Sequence, residues 1–234
     1  MFQRNIICHR LGTMYTINVP KSLKEPMKDF LAQCIEQQKA LASDIELKFC
    51  AYFETAPVPG IALDGAVNEL EGVVSVEIAR PGSSSEDVAA QIAKLPRGRG
   101  LYVIMTNRTV PGSEGCSFTI PGSNLKAVYR GHSSNIRERV MGHLINRAYL
   151  EMCSSKTNKK PWNAFFKIED GSGIGGLDVT AAPFSAFVWA VVAFNMKDST
   201  EPLRMLAENG FSKAFGTPPR SAKEPTVARP RKVA

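Results

Sequence analysis

Apolar and polar residues change rhythm several times along this chain, and each change predicts an element. GTMYTINVP (12–20) reads as a strand closed by Pro20, because proline has no N–H to give a ladder. Residues 22–43 set Met27, Phe30, Leu31, Cys34 and Ile35 three and four positions apart, with Ser22 as a cap. That spacing predicts a helix. IELKFCAYF (45–53) alternates apolar and polar, which predicts a half-buried strand. A loop follows at 55–65, and GVVSVEIARPG (72–82) reads as a strand with a turn. SSSEDVAAQIAKLP (83–96) opens on a Ser-x-x-Glu pattern and predicts a short helix that stops before Pro96.

The second half is more apolar. RGRGLYVIMT (97–106) and LKAVYRG (125–131) are strands on either side of a connection rich in Pro, Gly and Ser, residues 107–124. Antiparallel pairing of the two would bring Tyr102 and Tyr129 to one region of a sheet. After the second strand, Ser-Ser-Asn starts a helix on which Ile136, Val140 and Leu144 form an apolar stripe. Arg139 and His143 lie one turn apart beside that stripe. A loop-rich insertion gathers Lys159, Lys160, Trp162, Phe165, Phe166 and Lys167. AAPFSAFVWAVVAF (181–194) is broken by Pro183 and Ser185, so it reads as a buried strand and not as a membrane span. Ser199 or Thr200 then caps a helix with Glu201 in its first turn.

Composition narrows the class. The 234 residues are 44% apolar, enough to bury a core. Five widely spaced cysteines without a CxxC pair argue for reduced thiols in a cytoplasmic setting and against a structural zinc site. No secretion signal is expected at the N-terminus. The net charge is +7, concentrated at Arg220, Lys223, Arg229, Arg231 and Lys232. Such a tail is either a solubilising end or an electrostatic handle for polyphosphates, and basicity makes nucleic acid the leading partner class.

Two short motifs, GLY (100–102) and YRG (129–131), resemble the paired motifs that name the GIY-YIG nucleases. The resemblance continues in register through Asn135, Arg139 and His143 and resumes at STEPLRML, which is similar to the segment that supplies the family's metal-binding Glu. It covers about residues 97–218. It departs from the family at Arg130, which stands where an aliphatic residue is usual, and the long connection between motifs is like that of the family's restriction endonucleases. The fold implied is α+β: a small sheet flanked by helices at 97–218, an N-terminal α/β addition at 1–96 and a flexible basic tail at 219–234.

The function implied is hydrolysis of DNA phosphodiester bonds, dependent on Mg²⁺ with Mn²⁺ as a substitute. By the resemblance, Tyr102 activates or orients water, and Tyr129 orients substrate or shares the proton. Arg139 binds phosphate oxygens through its planar fork, and His143 relays a proton or hydrogen-bonds a phosphate. Glu201 holds the metal, and a carboxylate with waters is a sufficient shell for Mg²⁺. Glu208, seven residues on and on the same helix face, is its rival; His132 is not assigned a role. Double-stranded DNA is the expected partner, a homodimer is left open, and no membrane is involved. A type II-like restriction endonuclease ranks first, followed by an antibacterial nuclease toxin. From a different class, a catalytically silent nucleic-acid-binding module fits the same basic surface.

Overall fold

A computed structural model describes residues 6–10, 13–17, 24–61, 67–146 and 177–221. The insertion with its Lys/Trp/Phe cluster at 159–167 and the tail cations beyond Ser221 lie outside the described residues. The chain divides into two units, Met1–Ile45 and Glu46–Ala234. In the first, β1 (Ile6–Arg10) and β2 (Thr13–Ile17) pair as an antiparallel hairpin. Helix α1 (Lys24–Thr55) begins there and continues into the second unit. The expected helical stripe at Phe30, Leu31 and Ile35 is exposed.

The second unit is built on a five-stranded sheet of β3 (Asn68–Leu70), β4 (Val73–Ala79), β5 (Gly100–Thr106), β6 (Lys126–Ser133) and β7 (Trp189–Asn195). The spatial order is β3-β4-β7-β5-β6, and every neighbouring pair is antiparallel. Helices α2 (Ser85–Ile92), α3 (Ile136–Leu144) and α4 (Glu201–Phe215) complete an α+β fold with four α-helices among the described residues. None of the described helices is long and apolar enough to cross a membrane.

Both faces of the sheet are covered, which explains why β5 and β7 read as continuous apolar runs. Tyr102, Ile104, Val191 and Ala193 face a core shared with Ile92 of α2 and with Ile136, Val140 and Leu144 of α3. Leu101, Val103, Val192 and Phe194 face a second core with Phe53 of α1 and with Ala207 and Phe211 of α4. The connection at 107–124 belongs to that second core: Phe118 is buried, 5.0 Å from the Phe211 ring and 5.1 Å from Phe215. Its backbone is tied there by Ser117 N–H, which donates to Phe215 O at 2.7 Å.

Three expectations change. Residues 45–53 are helix, the last part of α1. Glu46, Phe49, Cys50 and Phe53 also repeat at helical spacing, and packing on α4 selects that period over alternation. The capping box of α2 is Ser84 with Asp87, one residue later than Ser-x-x-Glu suggests. Finally, the sheet runs across the boundary expected at residue 96, since β4 pairs directly with β7. The compact unit starts at Glu46; β3 and β4 are part of the central sheet, and α2 packs on it, rather than forming an addition.

The contact of α1 with α4 closes over Gly210, where an added Cβ would sit 2.4 Å from Phe49 Cβ and 2.9 Å from Glu46 O. Gly210→Ala should therefore destabilise the protein by about 1–3 kcal/mol in urea unfolding, although alanine is the better helix former by about 1 kcal/mol. A variant more stable than wild type would disprove this packing.

Candidate active site

Strand β5 carries Tyr102 opposite Gly131 of β6, and Tyr129 lies one diagonal step away, opposite Ile104. The register shifts between Ile104 and Met105, where β6 has one residue more than β5. This bulge puts Val128 and Tyr129 against the same core although they are adjacent in sequence. Both tyrosines thus face α3, with ring centroids 6.1 Å apart.

Helix α3 is anchored at both ends. Asn135 caps it through its side chain, which accepts from Glu138 N–H at 3.4 Å, and Ile136 N–H donates to Gly98 O at 3.0 Å. At the other end Leu177 N–H donates to His143 O and Val179 N–H to Leu144 O. Ile136, Val140 and Leu144 are fully buried, as the stripe predicts. With the helix seated this way, the Tyr102 hydroxyl and His143 Nε2 share a hydrogen bond of 2.9 Å. The His143 ring is 4.7 Å from that of Tyr129. The Arg139 guanidinium acts electrostatically on both phenols and pulls their pKa values down.

The two motif glycines make room for this arrangement. A Cβ on Gly131 would meet the Tyr102 hydroxyl at 2.7 Å and Tyr129 Cε1 at 2.9 Å. A Cβ on Gly100 would meet Phe194 O at 2.2 Å and Ile136 Cδ1 at 2.8 Å. Each motif therefore joins a tyrosine to a glycine whose missing side chain lets the neighbouring elements close around it.

Burial governs the protonation states. Tyr102 is wholly buried, and desolvation raises its pKa well above the ordinary phenol value, with Tyr129 adding to the rise and Arg139 opposing it. Tyr129 is half-buried and is also raised by desolvation, against the pull of Arg139. Both phenols keep their protons at neutral pH. His143 is lowered to about 3, first by burial and then by Arg139, so its imidazole is neutral.

Four of the five residues expected at the site come together: Tyr102, Tyr129, Arg139 and His143. Glu201 is the first residue of α4, fixed by the Thr200 cap and exposed to solvent. Its carboxylate interacts electrostatically with Arg204, and no described contact joins it to the tyrosine cluster. An exposed carboxylate on a fixed helix end suits a hydrated cation that it would share with a phosphate. The rival carboxylate is committed elsewhere: Glu208 Oε1 is 3.0 Å from Arg130 Nη1 and Oε2 is 2.8 Å from His132 Nδ1. This buried cluster also takes Ser212, whose hydroxyl accepts from Arg130 Nε at 2.7 Å. It lies on the α4 side of β6, because Arg130 and His132 alternate with Tyr129 and Gly131. Arg130 is thus the partner of a buried acid. Among the described residues, no group of three or more His, Cys, Asp or Glu could hold a metal.

Comparison with protein-family models, curated proteins and solved structures gives no match.

The two carboxylates should separate in stability measurements. Glu208→Gln leaves the Arg130 charge buried and should cost about 3–5 kcal/mol, whereas Glu201→Gln should cost less than about 1 kcal/mol, its share of the helix dipole. Equal losses in thermal unfolding would contradict the ion-pair assignment. His143 adds a pH signature. Its folded pKa near 3 lies below the unfolded value near 6.5, so the unfolded chain binds the extra proton first. The stability from a neutral His143 is complete above about pH 6.5 and is lost as pH falls toward 3, at up to about 1.4 kcal/mol per pH unit. Between pH 6.5 and 5 the wild type should lose stability more steeply than His143→Gln; parallel curves would refute a neutral buried imidazole.

Proposed function

We propose that this chain is a divalent-metal-dependent nuclease that hydrolyses DNA phosphodiester bonds with chemistry of the GIY-YIG type. The observation that carries the reading is the cluster of Tyr102, Tyr129, Arg139 and His143, joined by the Tyr102–His143 hydrogen bond, by ring contacts and by the field of Arg139. Two phenols, a neutral imidazole and a guanidinium on one side of a sheet can transfer a proton and stabilise an anion at the same place.

Exposure divides the roles. Arg139 and Tyr129 are partly exposed, and Tyr102 and His143 lie behind them. Arg139 receives the non-bridging oxygens of the scissile phosphate. A bound anion cancels the field by which Arg139 lowers His143, so the imidazole becomes more basic as substrate arrives. Water attacks phosphorus while its proton goes to the Tyr129 hydroxyl. The Tyr129 proton passes to Tyr102, and the Tyr102 proton passes to His143. The bond from phosphorus to the leaving oxygen breaks, and solvent protonates that oxygen. The raised phenol pKa values favour this relay through protonated hydroxyls over a standing phenolate. A bound Mg²⁺ or Mn²⁺ would add Lewis-acid stabilisation of the phosphate charge, and Glu201 is the residue that would hold it.

A restriction-type enzyme acting on double-stranded DNA is the setting we favour. The connection at 107–124 is a poor candidate for reading bases, because Cys116, Phe118 and Ile120 are buried in the core on the α4 side. That task would fall to other parts of the chain.

Plasmid incubated with protein and Mg²⁺ should be cut by wild type. Arg139→Ala should cut about 10²- to 10³-fold more slowly, and Glu201→Gln should lose cleavage while retaining binding in a gel shift from the same preparation. Cutting within a few-fold of wild type by both variants would defeat the assignment. Binding without cleavage by the wild type would identify a silent DNA-binding module.

A further inference from the structure

Helix α3 has a second polar flank that the proposed chemistry leaves unused. Arg137 and Arg139 are two residues apart, hence about 200° apart around the helix axis. Arg139 belongs to the tyrosine cluster, and Arg137 lines a cavity of about 700 Å³ between α2 and α3. Ala89 and Ile92 of α2 and Met141 of α3 make its apolar part, and Arg97 lines it as well. Ser134 and Asn135 stand at the same opening, at the start of α3.

The charges in this cavity are unbalanced. Arg137 Nε donates to Leu95 O, which holds its guanidinium against the loop before β5. Its pKa is lowered first by burial and then by the charge of Arg97. Among the described residues, neither arginine has a carboxylate in an ion pair. Glu138 also lines the cavity, where its carboxylate accepts from Asn135 Nδ2 at 3.0 Å. The two guanidinium charges act unfavourably on each other in the free protein, and an anion bound beside both would relieve this. The N-terminus of α3 adds the positive end of its dipole in the same place. An apolar wall beside a cationic rim suits a phosphate attached to a sugar better than a free inorganic ion.

We propose that the α2–α3 cavity is a second phosphate-binding site, which holds a backbone phosphate of bound DNA away from the scissile bond. The proposal rests on the nuclease reading above. It makes α3 a helix that grips DNA on two flanks, through Arg139 on the reacting phosphate and through Arg97 and Arg137 on a distant one. The second contact positions the duplex and takes no part in bond breaking.

The test measures binding of a fluorescent DNA duplex by anisotropy in EDTA over a series of salt concentrations, and steady-state cleavage in Mg²⁺ with the same proteins. Arg97→Gln and Arg137→Gln should each weaken binding and reduce the slope of log K against log salt by about one. KM should rise several-fold while kcat at saturating duplex stays within about threefold. Arg97 is exposed and makes no described hydrogen bond, so its variant reports on binding even if Arg137→Gln disturbs the loop. Wild-type binding with unchanged slopes in both variants overturns the second site and leaves the nuclease reading intact. A loss confined to kcat would also overturn it, because a positioning contact acts before the chemical step. Failure of wild type to bind duplex at any salt overturns both readings.

Discussion

Strand β5 is hydrogen-bonded on both edges and buried on both faces, and the rest of the second unit depends on how closely its neighbours approach it. At Gly100 the carbonyl of Phe194 and the side chain of Ile136 occupy the space a Cβ would need. At Gly131 the phenol of Tyr102 does so. These close approaches bring β7, β6 and α3 together around one tyrosine. Close-packed interiors do not deform continuously, so a methyl group at either position would displace several elements at once.

The sheet then works as a partition. Alternation along β6 sends Tyr129 to the α3 side and Arg130 and His132 to the α4 side, and the bulge at Val128 keeps that phase correct beyond Ala127. One side holds a neutral imidazole between two protonated phenols. The other holds a carboxylate matched by a guanidinium and an imidazole. The two sides solve one problem differently, since a buried ionisable group must either become neutral or find a partner. His143 is beside a cation and becomes neutral. Glu208 is buried between two partners, Arg130 and His132.

Helix α3 is short, and its placement depends on anchors outside it. Asn135, the Gly98 carbonyl and the 177–179 backbone fix its ends. An isolated helix of this length is marginal in water, so its rotation is set by what holds it. That rotation puts Arg139 and His143 toward the tyrosines and Arg137 toward α2. The basic loop before β5 contributes on both sides, through Gly98 as an anchor and Arg97 as a charge.

Local order in the sequence determined much of this arrangement. The apolar runs of β5 and β7, the stripe of α3 and the four-residue spacing of Arg139 and His143 are all short-range patterns, and short-range periodicity survives into the fold. They placed Tyr102, Tyr129, Arg139 and His143 together. Other features required contacts between distant residues. Residues 45–53 fit two periods, and packing on α4, with Phe49 against Gly210 and Phe53 against Phe211, selects the helical one. Residues 68–79 read as part of an addition, and pairing of β4 with β7 makes them part of the sheet. Glu201 and Glu208 share a helix face on paper, yet Arg130 and His132 from a strand about seventy-five residues earlier engage only Glu208. Spacing along the chain says which side chains share a face. Only the tertiary structure decided what each face meets, because burial and partnership are properties of the assembled layers.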